Sequence, residues 1–136
     1  LTKAIKRYQS GDYSGAMTSI LGMIDLLCQD ILSKEYDHSK VCEMSYQAKV
    51  GNAYKARRPE FVLELLSEGV EPRDAEEICN RQQSSVSNAG GVLMSFRARF
   101  ADVHGSRSAP GAFVQAALDG AVYIVRVLGV RERRPA

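Results

Sequence analysis

The sequence predicts an all-α protein, an antiparallel bundle of about four main helices with short helices beside them. Three observations predict it. Apolar residues recur at three- and four-residue steps through most of the chain, and glycine, proline and capping residues punctuate those stripes at helical lengths. No run alternates with period two over a convincing length. With 136 residues, 45% of them hydrophobic and 25% charged, the chain has the makeup of one globular domain rather than a disordered segment. The expected division is a domain over residues 1–130 and a basic tail over 131–136.

A short helix through Ala4, Ile5 and Tyr8 opens the chain. Asp12, after Gly11, is a natural N-cap for a long helix whose stripe is Tyr13, Ala16, Met17, Ile20, Ile24, Leu27, Cys28 and Ile31. Asp37 or Ser39 is expected to cap a second long helix that turns Val41, Met44, Ala48 and Tyr54 inward. Arg58-Pro59 should close it, because the residue before proline is pushed out of the helical region. Pro59 then starts a short helix with Phe61, Leu65 and Leu66, ended by Gly69.

Pro72 suits the first position of the next helix, whose stripe is Ala75, Ile78, Cys79, Gln82, Val86, Ala89, Leu93, Phe96 and Phe100. Gly90-Gly91 lies inside that stripe and costs about 1 kcal/mol per glycine relative to alanine. Such a pair lets another helix approach closely; a loop dividing the segment is the alternative. After a break at residues 105–108, Pro110 opens the last helix, with Phe113, Ala117, Gly120, Ile124, Val127 and Leu128 as its inner face.

Net charge is +2, too small to announce a nucleic-acid binder by bulk electrostatics, although Arg126, Arg131, Arg133 and Arg134 crowd the C-terminus. The three cysteines form no C-x-x-C pair, which argues against a disulfide framework and against a zinc site. Cys28 and Cys79 fall at core positions, and a reducing cytoplasm is the expected compartment. No uninterrupted apolar run reaches the roughly 18 residues that span a bilayer, so no membrane role is expected. The chain opens at Leu1 rather than Met, and the expectation is an excised domain with further domains or a regulatory partner.

Arg97 and His104 are seven residues apart in "SFRARFADVHG". At roughly 100° per residue, seven steps return to within about 20° of the same helix face, whereas Arg99 lands about 140° from His104. Such a pair suits phosphodiester chemistry. Histidine titrates near neutrality and can move a proton, while arginine offers a planar, permanently charged fork to phosphate oxygens. No metal or other cofactor is implied, because no His/Asp/Glu cluster has ligand spacing.

"SFRARFADVHG" resembles the "LRNxxGxxHG" signature of the abortive-infection protein C-terminal domain, a member of the HEPN superfamily. "GDYSGAMTSILGMIDLLCQDIL" is similar to the opening helix of that domain, and "GAFVQAALDGAVYIVRVLG" to its final helix. The resemblance implies a HEPN-like helical bundle that forms a homodimer and cleaves RNA without a metal. Arg97 and His104 match the catalytic pair of the motif, and Gly105 the glycine after it. Asp25 occupies the place of an acidic residue often found on the first long helix. Arg99, Asp102 and Arg107 complete the expected substrate-binding set. Two positions depart from the family: Ala98 replaces the polar residue after the arginine, and Ala101 the glycine before the aspartate. Loss of the polar neighbour removes a hydrogen-bonding group that could orient the arginine or the phosphate. Three functional expectations result: an antiphage or toxin-like ribonuclease, a non-catalytic module that dimerises and binds RNA or a partner, and a sensor of a nucleotide phosphate. The helix bearing Gly90-Gly91 and Arg97, aided by the last helix, is the expected dimer seam.

Overall fold

The computed structural model describes residues 2–100 and 111–129. They form α1 (Thr2–Gln9), α2 (Tyr13–Leu32), α3 (His38–Glu43), α4 (Tyr46–Ser67), α5 (Pro72–Phe100) and α6 (Gly111–Leu128), with no strand among the described residues. The all-α expectation holds, with four long helices and two short ones. Residues from all six helices share one hydrophobic core.

Local chemistry places the first boundaries as expected. Gly11 takes φ +83, a turn conformation open to glycine, and the Asp12 carboxylate accepts from the Gly15 amide at 2.9 Å. Gly69, at φ +87, follows the end of α4, and Pro72 starts α5.

The segment after α2 departs from expectation. Instead of one helix capped by Asp37 or Ser39, a six-residue α3 ends at Met44, whose ψ of 140 is extended. Ser45 then caps α4, its hydroxyl accepting from the Ala48 amide at 3.1 Å, while the Asp37 side chain makes no capping bond. The predicted stop at Arg58-Pro59 is also overturned, since α4 runs through Pro59. Proline removes the N–H that would reach the Lys55 carbonyl, but Lys55 and Pro59 are both exposed and water can replace that bond. On the inner side the Tyr54 and Phe61 rings pack 5.1 Å apart across the interruption, and Arg58 reaches Glu76 of α5 at 2.6 Å.

The Gly90-Gly91 pair lies within a continuous α5 and serves close approach. A Cβ at Gly90 would stand 3.1 Å from Val50, and one at Gly91 3.0 Å from Gln47. Gly51 faces Ser87, Tyr54 bonds to Gln82 and Arg58 to Glu76, so α4 and α5 run antiparallel. The glycine face is thus occupied by α4 of the same chain. Two stripe residues are corrected: Ile78 is 44% exposed and Phe113 59% exposed, each lying at the edge of its helix's apolar stripe rather than within the core.

α6 begins beside the start of α2, with Gly111 against the Tyr13 ring, and ends where the Gly129 carbonyl accepts from Arg57 at 2.9 Å. By length and mean hydropathy α2 and α6 are each long and apolar enough to cross a membrane. Their apolar faces nonetheless line the shared core, with 44% and 39% of those windows buried. The expected break at residues 105–108, the start at Pro110 and the tail over 131–136 lie outside the described residues.

Candidate functional site

The antiparallel α4–α5 pairing sets the first turn of α4 beside the last turns of α5, and α2 packs against both. A polar cluster forms where the three helices meet. Lys49 donates to one Asp25 oxygen at 2.8 Å, and Gln29 to the other at 3.2 Å. The Lys49 side chain is only 12% exposed and that of Asp25 34%. The ammonium is therefore largely withdrawn from water and held by a single carboxylate among the described residues.

Beneath the pair lie Cys28 and Tyr46. Burial pushes the Cys28 thiol up to about 12, with the Asp25 charge adding and Lys49 opposing. Burial likewise raises the Tyr46 phenol well above the ordinary tyrosine range, helped by Cys28 and Asp25 and opposed by the Arg97 guanidinium. Arg97 on α5 thus acts on a phenol on α4, and Asp25 on α2 acts on the same group. The Tyr46 hydroxyl is buried and has no hydrogen-bond partner among the described residues.

Of the residues singled out in the sequence, Arg97 and Arg99 are exposed on the last turn of α5 and form no ion pair among the described residues. Positive charge is also favoured at that end by the helix dipole. Asp25 is engaged by Lys49 and Gln29 rather than left open. His104, Asp102, Arg107, Gly105 and Ala101 lie outside the described residues, and with them the shared face of Arg97 and His104. Lys49 and Tyr46 were not anticipated. Tyr46 directly follows the Ser45 cap, but Lys49 carries no local signal, being 24 residues from Asp25.

Chemically, the cluster offers a guanidinium in solvent, an ammonium fixed by a carboxylate and a buried phenol. Two cations and one anion leave a net positive charge, suited to an oxyanion. Further along the α4–α5 seam, an open polar groove of about 430 Å³ is lined by Gln47, Asn52, Lys55, Gln83 and Ser87, among others. Among the described residues, no group of three His, Cys, Asp or Glu side chains could hold a metal ion. No family model, curated protein or solved structure matches the chain.

Proposed function

We propose that this chain is a HEPN-type, metal-independent endoribonuclease domain from an antiphage (abortive-infection) or toxin-like protein, acting on RNA as a cytoplasmic homodimer away from membranes. The observation that carries the reading is the exposed placement of Arg97 and Arg99 on the last turn of α5, without an ion pair among the described residues and directly before the segment with His104. In the proposed reaction the ribose 2′-oxygen attacks the adjacent phosphorus and the bond to the 5′-oxygen breaks. A 2′,3′-cyclic phosphate and a free 5′-hydroxyl result. His104 takes the 2′-proton or supplies one to the leaving oxygen. Arg97 holds the phosphate and stabilises charge on the pentacovalent state. Arg99 and Arg107 add contacts that do not depend on sequence.

A second reading, a non-catalytic module that dimerises and binds RNA or a partner, is favoured by an apolar edge between α5 and α6. Val92 is 53% exposed, Phe113 59%, and the Phe96 and Phe113 rings lie 6.0 Å apart. The same edge supports the proposed dimer.

Cleavage of RNA in EDTA separates the two readings. The nuclease reading expects EDTA-resistant cleavage that falls roughly a hundred- to ten-thousand-fold in His104→Ala. It also expects Arg97→Lys to lose most cleavage with RNA affinity little changed, because an ammonium cannot reproduce the planar fork. Absence of EDTA-resistant cleavage by the parent chain would leave the binding module.

A further inference from the structure

α1 and α6 both pack on α2 and barely touch each other, which leaves a cleft of about 290 Å³ between them. Helical spacing builds its two walls. Ile5, Tyr8 and Gln9 lie three and four positions apart on α1, and Gln115, Leu118, Asp119 and Val122 do so on α6. This face of α6 is turned away from Phe113, which meets Phe96 of α5, so the cleft is separate from the α5–α6 edge. Arg7 donates to the Gly15 carbonyl at 3.0 Å and the Tyr8 and Tyr13 rings pack 5.2 Å apart, which ties α1 to the start of α2. The lining is apolar with one charge. Ile5, Leu118 and Val122 form the apolar part, and Ile5 stays 41% exposed there. Asp119 receives one long bond from Gln115 at 3.4 Å and forms no ion pair among the described residues. No lysine or arginine is among the described residues that line the cleft.

We propose that this cleft binds a small organic cation, a protonated amine carried on a hydrocarbon body. The ammonium meets the Asp119 carboxylate and the Tyr8 ring, whose π-system attracts a cation, while the hydrocarbon covers Ile5, Leu118 and Val122. The amide oxygens of Gln9 and Gln115 can accept further N–H groups. Three features select this class of ligand. A lone carboxylate repels anions. The apolar side chains gain from a hydrocarbon and nothing from a hydrated metal ion. The volume stands near the lower end of ordinary ligand sites and suits a molecule of one ring rather than several. The binding makes no use of Arg97 or His104, and it stands whether or not the chain cleaves RNA.

The test uses the full chain labelled with 13C at the isoleucine Cδ1 methyls. It is titrated with phenethylammonium chloride, with the neutral counterpart phenethyl alcohol, and with ammonium chloride, all at matched ionic strength. The Ile5 and Ile78 signals are assigned by their loss in Ile5→Val and Ile78→Val; Ile78, exposed on α5 and outside the cleft, is the internal control. The expected result is a saturable shift of the Ile5 signal with phenethylammonium while Ile78 stays still. Affinity for the alcohol should be several-fold weaker, and ammonium alone should give no saturable shift. Asp119→Asn should lose the same several-fold for the amine and leave the alcohol unaffected. Its unfolding midpoint should not move, because Asp119 is exposed. The comparison of amine with alcohol in the parent needs no variant and holds even if that midpoint falls. An Ile5 signal unmoved by phenethylammonium, Ile5 and Ile78 moving alike, or equal affinity for amine and alcohol would overturn the proposal. So would equal affinity for the amine in the parent and a folded Asp119→Asn.

Discussion

Tyr54 and Tyr46 are both buried phenols of α4, eight positions apart, and they differ in how the hydroxyl is met. The Tyr54 hydroxyl donates to Gln82 Oε1 at 2.9 Å, and its ring packs 5.1 Å from Phe61. The Tyr46 hydroxyl has no such partner among the described residues. Around Tyr54 the seam between α4 and α5 is complete within the chain: small residues let the backbones close, and the buried oxygen is satisfied. Around Tyr46, which is also buried at 6% exposure, polar capacity is left over among the described residues. The contrast sets one end of the α4–α5 pair, where the buried oxygen is satisfied, against the other, where it is not among the described residues.

The largest expected effect sharpens the structural half. Tyr54→Ala should lower unfolding free energy by about 3–5 kcal/mol in urea titration, because it empties a fully buried aromatic site. Asp25→Ala should cost about 1–2 kcal/mol, less than the roughly 3–5 of a fully buried pair, since part of Asp25 already faces water. A larger loss would show that Lys49 is held more tightly than its exposure suggests. The smallest effects are the most telling. Tyr54→Phe should lose about 1 kcal/mol by stranding Gln82, while Tyr46→Phe should be neutral or slightly stabilising. Equal losses at the two positions in thermal unfolding would break the comparison.

Boundaries set by the residues next to them were legible in the sequence. The Asp12 cap, the left-handed Gly69 and the leading Pro72 act within a few positions of themselves. Pro59 was misread because its effect is decided elsewhere: the bond it forfeits faces water, while Tyr54, Phe61 and Glu76 hold the helix across it. The segment before α4 divides in two: Asp37 stands at the N-cap of the short α3 without a side-chain bond, and Ser45 caps α4 through the Ala48 amide, a second start that the sequence reading passed over. Periodicity found the faces of α5 and α6 but not the width of the covered stripe, which depends on the neighbouring helices, so Ile78 and Phe113 emerged exposed. At the site, Arg97 was legible through its spacing to His104. Lys49 and Tyr46 were not, because their relation to Asp25 and Arg97 exists only once three helices have packed.

The glycine-lined contact of α4 with α5 also bears on how the chain reaches its fold. These two helices are neighbours in sequence, joined by the short turn over residues 68–71, so their pairing closes a small loop. α6, by contrast, must return from the far end of the chain to Tyr13 and Arg57. Local contacts form fastest, which makes the α4–α5 hairpin the natural nucleus and α6 the late arrival. Enlarging Gly90 against Val50 should therefore slow folding, whereas weakening the Gly111 or Gly129 end of α6 should chiefly hasten unfolding. The corner that holds Tyr46 and Arg97 would then exist before the last helix docks, assembled as soon as α2 meets the hairpin.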